Sequence, residues 1–434
     1  MDDQRYPFAC SPFPGANNVP LDDPTPRDQA IYVPSIQAGF AKDVYAQNWT
    51  RAMPAGLSAD DLNFLDPNNK LFRISHAMTS AGQALNQKAP CIITTRDRKF
   101  TKIIGDSGGY QIASRKLTIN GNADRMRILR WLEATADIAM TLDVPTGPVL
   151  KGDYAFKTTQ DCLTATLEHV DFFHRHRRPG AVQFLNVLQG NTESEADAWY
   201  DAVKKYQFEG WAFAGVLRHN VEYLLKRIIR MADEKQLENK SWIHVLGTCE
   251  LESAVILTAL QRAINRYLNK ELRISYDTSS PFRIVGFGSI YTVPRFDSKR
   301  MTMGSIPIPD HYAYVGSKVR WPWPSPLGDR INLGDVCVPR PVTANTSHDT
   351  LSNHMLAHHN LAALCYGIAL TNRVFDAESL HHQHTIGHPV GAAVEAIEKV
   401  LKEGRMDAVS KYKRTFLHLR HGIIPDSGEN ERDF

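Results

Sequence analysis

Three aspartates in this chain come just after short apolar runs, at Asp106, Asp143 and Asp277. An apolar run that ends in a carboxylate and a loop is typical of a buried strand whose last residue opens into a turn. Two carboxylates on either side of an anomeric carbon can break a glycosidic bond. One attacks the carbon or stabilises its positive charge, and the other handles protons. Cleavage of a glycosidic bond is therefore the first chemical hypothesis for these residues.

An amide, two glycines and an aromatic residue accompany the aspartates. Gln189, Gly215 and Gly247 each follow another apolar run, and Tyr110 comes shortly after Asp106. Carboxylates accept hydrogen bonds from ring N–H and amino groups, whereas an amide can donate to a carbonyl. A third Asp paired with Gln therefore suits the edge of a guanine-like base, on which an aromatic ring can stack. We expect a planar, hydrogen-bond-rich base attached to a sugar.

The stretch 103–111 carries the most information. Its apolar start ends in Asp106, and Gly108 and Gly109 leave room for a flat ligand to lie against the main chain. The alternative interpretation is an ordinary glycine turn with a surface aspartate. Aspartates after strands also commonly cap helices, so each residue alone has a purely structural explanation. Recurrence of the same pattern at several strand ends favours a shared site.

Strand-like segments recur at intervals that leave room for a helix between them. We predict strands at 35–40, 71–75, 103–106, 138–143, 184–189, 211–216, 243–247 and 274–277. Amphipathic helices are predicted at 77–85, 196–206, 221–231 and 251–268, the second after the capping-box pair Thr192 and Glu195. Short apolar strands that alternate with helices indicate a parallel sheet, and the number of units fits a (β/α)8 barrel. An open doubly wound sheet is the alternative, but no Gly-x-Gly-x-x-Gly fingerprint supports it.

The predicted barrel spans 35–295. Residues 1–34, rich in Pro, Asp and Asn, are predicted to form an N-terminal arm. Residues 296–434 are predicted to form an inserted subdomain and C-terminal helices packed on the barrel. Those helices are predicted at 349–371 and 392–403, the second closed by Gly404. In a (β/α)8 barrel the carboxyl ends of all strands meet at one rim, where the active site lies, so we expect the strand-end residues to converge.

The composition is that of a globular protein with ample apolar material for a core, 434 residues of which 43% are apolar. No apolar run approaches the roughly 20 residues that span a bilayer, and the N-terminus lacks the pattern of a secretory signal. Six cysteines without C-x-x-C spacing are typical of free thiols in a reducing compartment. We therefore expect a cytoplasmic protein without a membrane partner. A net charge of +3 is too small to establish a polyanionic partner.

Together these motifs resemble the queuine- and archaeosine-type tRNA-guanine transglycosylases, a family of (β/α)8 enzymes. Residues 106–111 resemble the signature loop of that family, and residues 277–283 resemble its nucleophile motif, an Asp followed by Pro and Arg. The pair 189–190 resembles its Gln-Gly pair. The segments 214–216 and 246–247 resemble the glycine segments that offer backbone groups to the base.

The resemblance implies a role for each residue at the rim. Asp277 is the nucleophile, Asp106 takes part in proton transfer, and Arg283 contacts nucleic acid. The base is bound by the remaining residues: Asp143, Gln189, Gly215, Val216, Tyr110, Ser107 and Gly247.

Differences between this sequence and the family pattern bear on the substrate of this protein. The tRNA enzymes have a structural zinc site built on a C-x-C-x-x-C motif and a later His, whereas this chain has only Cys337 in that region. Cys337, His354 and His359 are candidates for a rebuilt zinc site, and a His-bearing helix face is the alternative. Gly286 replaces the second Arg that usually follows the nucleophile motif. The chain is more similar to the DNA-guanine transglycosylases (the DpdA type) of phages and bacterial genomic islands, which insert 7-deazaguanines into DNA.

This resemblance implies a double displacement on a guanosine nucleotide flipped out of DNA. Guanine leaves a covalent glycosyl–aspartate intermediate, and a 7-deazaguanine base such as preQ0 takes its place with net retention. The chemistry needs no cofactor, because the incoming base is already a complete heterocycle. Accessory proteins of a phage-defence or anti-restriction modification system are candidate partners.

Basic clusters outside the motifs are candidates for phosphate contacts. They are Arg175, Arg177 and Arg178; Lys411, Lys413 and Arg414 with Arg420; and Arg125, Arg127 and Arg130. A charge cluster is also commonly only a solvated face. The functional alternatives are a divergent tRNA-guanine transglycosylase, a non-catalytic nucleic-acid-binding subunit on the same scaffold, and an ordinary glycoside hydrolase.

Overall fold

The computed structural model describes residues 28–152, 154–248, 250–339, 348–377 and 387–420, without the side chains of Val216, Leu217 and Arg420. The predicted N-terminal arm lies outside the described residues except for 28–34.

Eight parallel strands form one sheet that curls into a nearly closed barrel. They are β1 Ile31–Pro34, β2 His76–Ser80, β3 Lys102–Asp106, β4 Ile138–Met140, β5 Gln183–Leu188, β6 Gly210–Phe213, β7 Trp242–Val245 and β8 Arg273–Thr278. Neighbours follow the order β1-β8-β7-β6-β5-β4-β3-β2. A parallel bridge between Ser35 and Met78 joins β1 to β2, where the Ile36 N–H donates to the Met78 carbonyl at 2.9 Å. The predicted (β/α)8 fold is therefore confirmed.

Helices follow the strands in sequence and cover the sheet. They are α1 Ala38–Ala46, α2 Ala81–Ala84, α3 Gly109–Ala113, α4 Asn122–Thr135, α5 Thr159–His176, α6 Glu193–Val203, α7 Val221–Asp233 and α8 Leu251–Tyr267. The predicted capping box is present at the start of α6. The Glu195 N–H donates to Thr192 Oγ1 at 3.2 Å, and the Thr192 N–H donates to the Glu195 carboxylate at 3.3 Å. Each such cap satisfies backbone donors that the first helical turn leaves open.

The predicted positions of the first two strands were wrong. β1 is Ile31–Pro34, inside the predicted arm, and the predicted strand at 35–40 instead leads into α1. Phe40, Ala41 and Val44 are all buried, a spacing that suits one helix face. The second strand is His76–Ser80 rather than 71–75, where a helix was predicted from 77. All its residues are buried, so it lacks the alternation of polarity that identifies a half-exposed strand.

The interior of the barrel is mostly apolar. Residues in register on neighbouring parallel strands point to the same face, and Ile31 and Val33 of β1 lie opposite Ser275 and Asp277 of β8. One cluster of buried side chains fills this interior: Ile31, Val33, Met78, Ile104, Ile138, Met140, Leu185, Val187, Ala212 and Trp242. The polar side chains inside the barrel therefore stand out from their surroundings.

The C-terminal part packs on the outside of the barrel. It comprises α9 Ser280–Gly286, the antiparallel hairpin of β9 Ser289–Phe296 and β10 Met301–Pro307, α10 Leu333–Val336, α11 Thr350–Ala377, α12 His388–Glu403, α13 Met406–Lys411 and α14 Lys413–Arg420. α11 packs against α8, α9 and β9, and α12 packs against α8. The two predicted C-terminal helices are present with longer bounds. Gly404 ends α12 in the left-handed conformation, with φ 64°.

In the part of the chain that the structure describes, no helix is long and apolar enough to cross a membrane. Cys91, Cys162, Cys337 and Cys365 are free thiols.

Candidate active site

The three aspartates lie at the same rim of the barrel. Asp106 ends β3, Asp143 follows β4, and Asp277 lies near the end of β8. Burial raises the pKa of Asp106 and of Asp143, and the charge of a neighbouring aspartate adds to each effect, Asp277 for Asp106 and Asp106 for Asp143. Carboxylates interact in this way only when they are close. The fold therefore brings together side chains that are far apart in the sequence.

Asp277 is held by one of its two carboxylate oxygens. The Gly247 backbone N–H donates to Oδ1 at 2.8 Å, and Nε2 of His244 lies 3.2 Å from the same oxygen. The residue is only 6% exposed. Within the described ranges no hydrogen bond reaches Oδ2, so this oxygen keeps its lone pairs for another partner.

Asp106 is placed to hold a proton. Burial raises the pKa of its carboxyl group, and the nearby charge of Asp277 raises it further. The Ser80 hydroxyl and the Gly108 backbone N–H hydrogen-bond with this carboxyl group and lower the pKa, without cancelling the effect of burial. Ser80 is the residue in register with Asp106 on β2. A carboxyl group whose pKa is raised keeps its proton to a higher pH, which favours a role as general acid.

Asp143 and Gln189 form a polar pair between β4 and β5. The Gln189 side-chain amide donates to Asp143 Oδ2 at 2.7 Å, and both residues are 5% exposed. Burial raises the pKa of Asp143 to about 7, with the hydrogen bond from Gln189 acting against burial. Asp143 Oδ1 faces Gly109, where an added methyl group would lie 3.4 Å from this oxygen. The pair offers a carboxylate acceptor beside an amide.

Two glycines at the rim have conformations that a larger residue would not adopt freely. Gly108 has φ 101°, and a methyl group there would lie 2.9 Å from the Gly82 backbone nitrogen. Gly215 has φ 70°, and a methyl group there would lie 2.9 Å from Gln189 Oε1. The chain turns sharply at these points and packs tightly against its neighbours.

Gly215, Val216 and Gly247 lie where β6 and β7 open into their loops. Val216 begins a short 3-10 helix, Val216–His219. Arg218 on this helix donates to the Gly215 carbonyl at 2.6 Å, and its guanidinium group lies beside Gly247. The guanidinium therefore links the two loops.

Tyr110 and Ser107 differ in what they present to the rim. Tyr110 is 50% exposed, so its ring is available to a ligand at the mouth. Ser107 is fully buried, and its hydroxyl donates to the Thr141 carbonyl at 3.2 Å. Ser107 thus ties the loop after β3 to the loop after β4, and its hydroxyl group is already engaged.

Three predicted nucleic-acid contacts lie at the opposite end of the barrel. Arg175 lies in the last turn of α5, and Arg177 and Arg178 follow it before β5, whereas the aspartates follow their strands. Arg177 donates to both carboxylate oxygens of Glu209, at 2.8 and 2.9 Å, Arg175 pairs with Asp171, and Arg178 lies near Glu133. Their position at the far rim gives no geometric support to a role in holding the substrate.

The other basic candidates have varied surroundings. Lys411 pairs with Glu403 at 2.8 Å, and Lys413 and Arg414 are exposed on α14. Arg283 lies on α9, just after the strand that carries Asp277, with its guanidinium 5.7 Å from the ring centre of Phe287.

The cluster on α4 is engaged by neighbouring polar groups. Arg125 pairs with Glu168 at 2.6 Å, Arg127 donates to Asn86 at 2.7 Å, and Arg130 pairs with Glu133 at 2.6 Å.

The candidate zinc ligands have separate surroundings. Cys337 Sγ lies 3.0 Å from the Pro309 carbonyl, and His354 Nε2 lies 3.4 Å from Asp43. His359 bonds Ser325 at 2.8 Å and the Tyr291 carbonyl at 3.0 Å, and burial lowers its pKa to about 4. Among the described residues no group of three or more His, Cys, Asp or Glu side chains is arranged to hold a metal ion.

Sequence reasoning missed His244, Ser275 and Arg218. The spacing of Ser275 and Asp277 is a usable signal, since residues two apart on a strand share a face. His244 stands in the middle of the apolar strand β7, and only the strand order shows that it faces these two residues.

No protein-family profile matches the chain, and no curated protein matches it significantly. The assignment of a function therefore depends on the geometry of the rim and on the chemistry of its residues.

Proposed function

We propose that this protein is a guanine transglycosylase that exchanges guanine in DNA for a 7-deazaguanine base. The observation that carries the proposal is the state of Asp277, buried and held by Oδ1 alone. Its second oxygen is available to attack, beside a carboxyl group, Asp106, whose pKa is raised. A fixed nucleophile together with a carboxyl group whose pKa is raised is the equipment for displacing a base from a sugar.

The reaction proceeds in two displacements at C1′ of the target nucleotide. Asp277 Oδ2 attacks C1′, the bond from C1′ to the guanine N9 breaks, and guanine takes a proton supplied by Asp106. The ring nitrogen of the incoming base then attacks C1′, gives its proton to Asp106, and displaces Asp277. Two inversions give net retention. The covalent intermediate allows one base to leave before the next enters the same pocket.

Base selection is assigned to Asp143 and Gln189. An ionised Asp143 accepts hydrogen bonds from the ring N–H and the exocyclic amine of a guanine-like base. The amide that already holds Asp143 Oδ2 fixes its orientation. Tyr110, exposed at the mouth, is placed to stack on the base. A preQ0-like base shares this hydrogen-bonding edge with guanine, so one pocket serves both half-reactions.

The loop between β4 and α5 supports a polyanionic substrate. Lys151 and Lys157 are exposed on this loop, on the same face of the barrel as Asp143, and Leu150 beside them is 68% exposed. Lysines around a mouth neutralise phosphates and position a strand without reading its sequence. The resemblance to the DNA-modifying branch favours DNA over tRNA and a cytoplasmic setting.

The test is exchange of labelled guanine by the purified protein, with duplex DNA, single-stranded DNA and tRNA as separate substrates. We expect label to enter DNA, and preQ0 to chase it out. Incorporation into tRNA alone would replace DNA by tRNA as the substrate. Release of base without replacement would make the protein a hydrolase. No reaction with any substrate, together with binding to nucleic acid that survives Asp277→Ala, would indicate a non-catalytic binding subunit.

A further inference from the structure

A chain of hydrogen bonds runs from Asp277 into the interior of the barrel. His244 and Ser275 are both 0% exposed and lie in register on β7 and β8. His244 Nδ1 lies 2.7 Å from Ser275 Oγ, and Trp242 Nε1 lies 2.6 Å from the same oxygen. These polar groups stand inside a mostly apolar barrel interior. Burying them costs free energy unless their hydrogen bonds are satisfied, so their arrangement needs a reason.

The direction of these hydrogen bonds follows from what each group can do. An indole N–H only donates, so Ser275 Oγ accepts from Trp242. Within the described ranges, His244 Nδ1 is the acceptor within reach of the Ser275 hydroxyl proton. Nδ1 is then unprotonated, and the neutral imidazole carries its proton on Nε2. That N–H donates to Asp277 Oδ1.

A doubly protonated imidazole fits the same contacts less well. Both ring nitrogens would donate, Ser275 would accept from both Trp242 and His244, and the buried hydroxyl proton would have no acceptor among them. A buried donor without an acceptor costs about 1–3 kcal/mol. These contacts therefore favour a single tautomer of His244, with the proton on Nε2 directed at Asp277.

We propose that His244 is a positioning residue for Asp277, with its tautomer set by Ser275 and Trp242. His244 and the Gly247 N–H both bind Oδ1, so they fix the plane of the carboxylate and select Oδ2 as the attacking oxygen. This inference depends on the proposed role of Asp277, and it adds how that role is prepared.

Two amide variants separate positioning from mere filling of space. His244→Gln can place an amide N–H where Nε2 stands, whereas His244→Asn reaches only the position of Nδ1. We expect His244→Asn to slow formation of the covalent intermediate about 100-fold in single-turnover measurements. His244→Gln should retain the rate within about tenfold, and KM for the base should change little in either variant. Equal losses in both variants would overturn the proposal.

The tautomer is tested without reference to activity. In protein labelled with 15N-histidine, the His244 ring signals of the wild type should show protonation at Nε2 and a free Nδ1. Ser275→Ala should change this pattern and slow the single-turnover step about tenfold. Protonation at Nδ1 in the wild type would refute the network. If Asp277→Ala keeps full activity, the proposed reaction itself is wrong, and the ring signals still decide the hydrogen-bond assignment.

A misfolded variant is recognised by its thermal unfolding. Should His244→Asn fail to fold, Ser275→Ala carries the kinetic test, because it removes one hydroxyl and leaves the Asp277 contact in place. An unchanged single-turnover rate and unchanged ring signals in Ser275→Ala would then contradict the proposal.

Discussion

The Gln189 side-chain amide donates to Asp143 Oδ2 at 2.7 Å, and this bond joins the loops after two neighbouring strands of the barrel. It leaves Asp143 Oδ1 facing Gly109 at the mouth. Burial raises the pKa of Asp143 to about 7. The group that is proposed to read the base therefore changes its charge close to neutral pH.

Base binding should follow the ionisation of Asp143. The ionised carboxylate accepts from both donors of guanine, so affinity for free guanine should rise as the pH increases through about 7. Asp143→Asn should weaken binding about tenfold to 100-fold at pH 8 and remove this pH dependence. Calorimetric titration between pH 5.5 and 8.5 measures both. A wild-type affinity that is flat across this range would contradict the role of Asp143.

The same variant should be more stable than the wild type at alkaline pH. A folded-state pKa raised above the unfolded value of about 4 means that the folded protein binds more protons between pH 4 and 7. Its free energy of unfolding therefore falls as the pH rises through this window. Asp143→Asn removes that loss, so its advantage should grow from pH 4 to 7, level off above 7, and reach on the order of 1–4 kcal/mol. Urea unfolding at several pH values measures the difference, and a constant difference would refute it.

Asp277→Ala should abolish exchange, with a loss on the order of 10⁴-fold or more. The wild type, denatured during turnover on a short oligonucleotide, should yield a species heavier than the protein by that strand without the displaced guanine. The Ala variant should not yield it. Mass spectrometry of the intact protein detects the adduct. An adduct on Asp106 instead of Asp277 would reverse the two proposed roles.

Asp106→Asn should slow the departure of guanine about 10²- to 10⁴-fold, because the leaving base loses its proton donor. In the wild type this step should slow as the pH rises through the raised pKa of Asp106, whereas the variant should lose that dependence. Pre-steady-state release of labelled guanine measures the step. An unchanged pH profile in the variant would assign the proton to another group.

Gly215→Ala should disturb the base pocket. A methyl group there would lie 2.9 Å from Gln189 Oε1, and φ 70° is unfavourable for alanine. We expect KM for the base to rise about tenfold and stability to fall by about 1 kcal/mol. Gly180→Ala is the matched control, because Gly180 has φ 75°, open space around it and a place at the far rim. The control should lose stability and keep KM; equal changes in KM would remove the argument for Gly215.

Removal of charge should weaken DNA binding only on the face that carries the aspartates. Lys151→Gln with Lys157→Gln should lower affinity and make the slope of log affinity against log salt shallower by up to about 2. Arg175→Gln with Arg178→Gln removes the same charge at the opposite end of the barrel. This pair should leave the affinity and the salt slope nearly unchanged. Fluorescence anisotropy with labelled DNA across a salt series measures the slopes. A larger effect of the arginine pair would restore the basic cluster predicted from the sequence.

Much of the barrel could be predicted from local pattern. Six of the eight strands lie where the apolar runs predicted them, because a short buried strand followed by a polar residue and a helix is a local signal. The capping box at Thr192 and Glu195 is equally local. The first two strands were not predicted at their observed positions, because β1 has only four residues and β2 has no alternation of polar and apolar residues.

The sequence by itself determined the strand-end carboxylates Asp106, Asp143 and Asp277, since their types and their places after apolar runs can be read without coordinates. Only the tertiary structure decided which residues surround them. His244 contacts Asp277 because β7 lies beside β8. The Ser107 hydroxyl donates to the Thr141 carbonyl, and Arg177 donates to Glu209 at the far rim. The physical reason is that strand periodicity is a property of neighbouring residues, whereas hydrogen bonds and ion pairs between distant segments exist only once the barrel has closed.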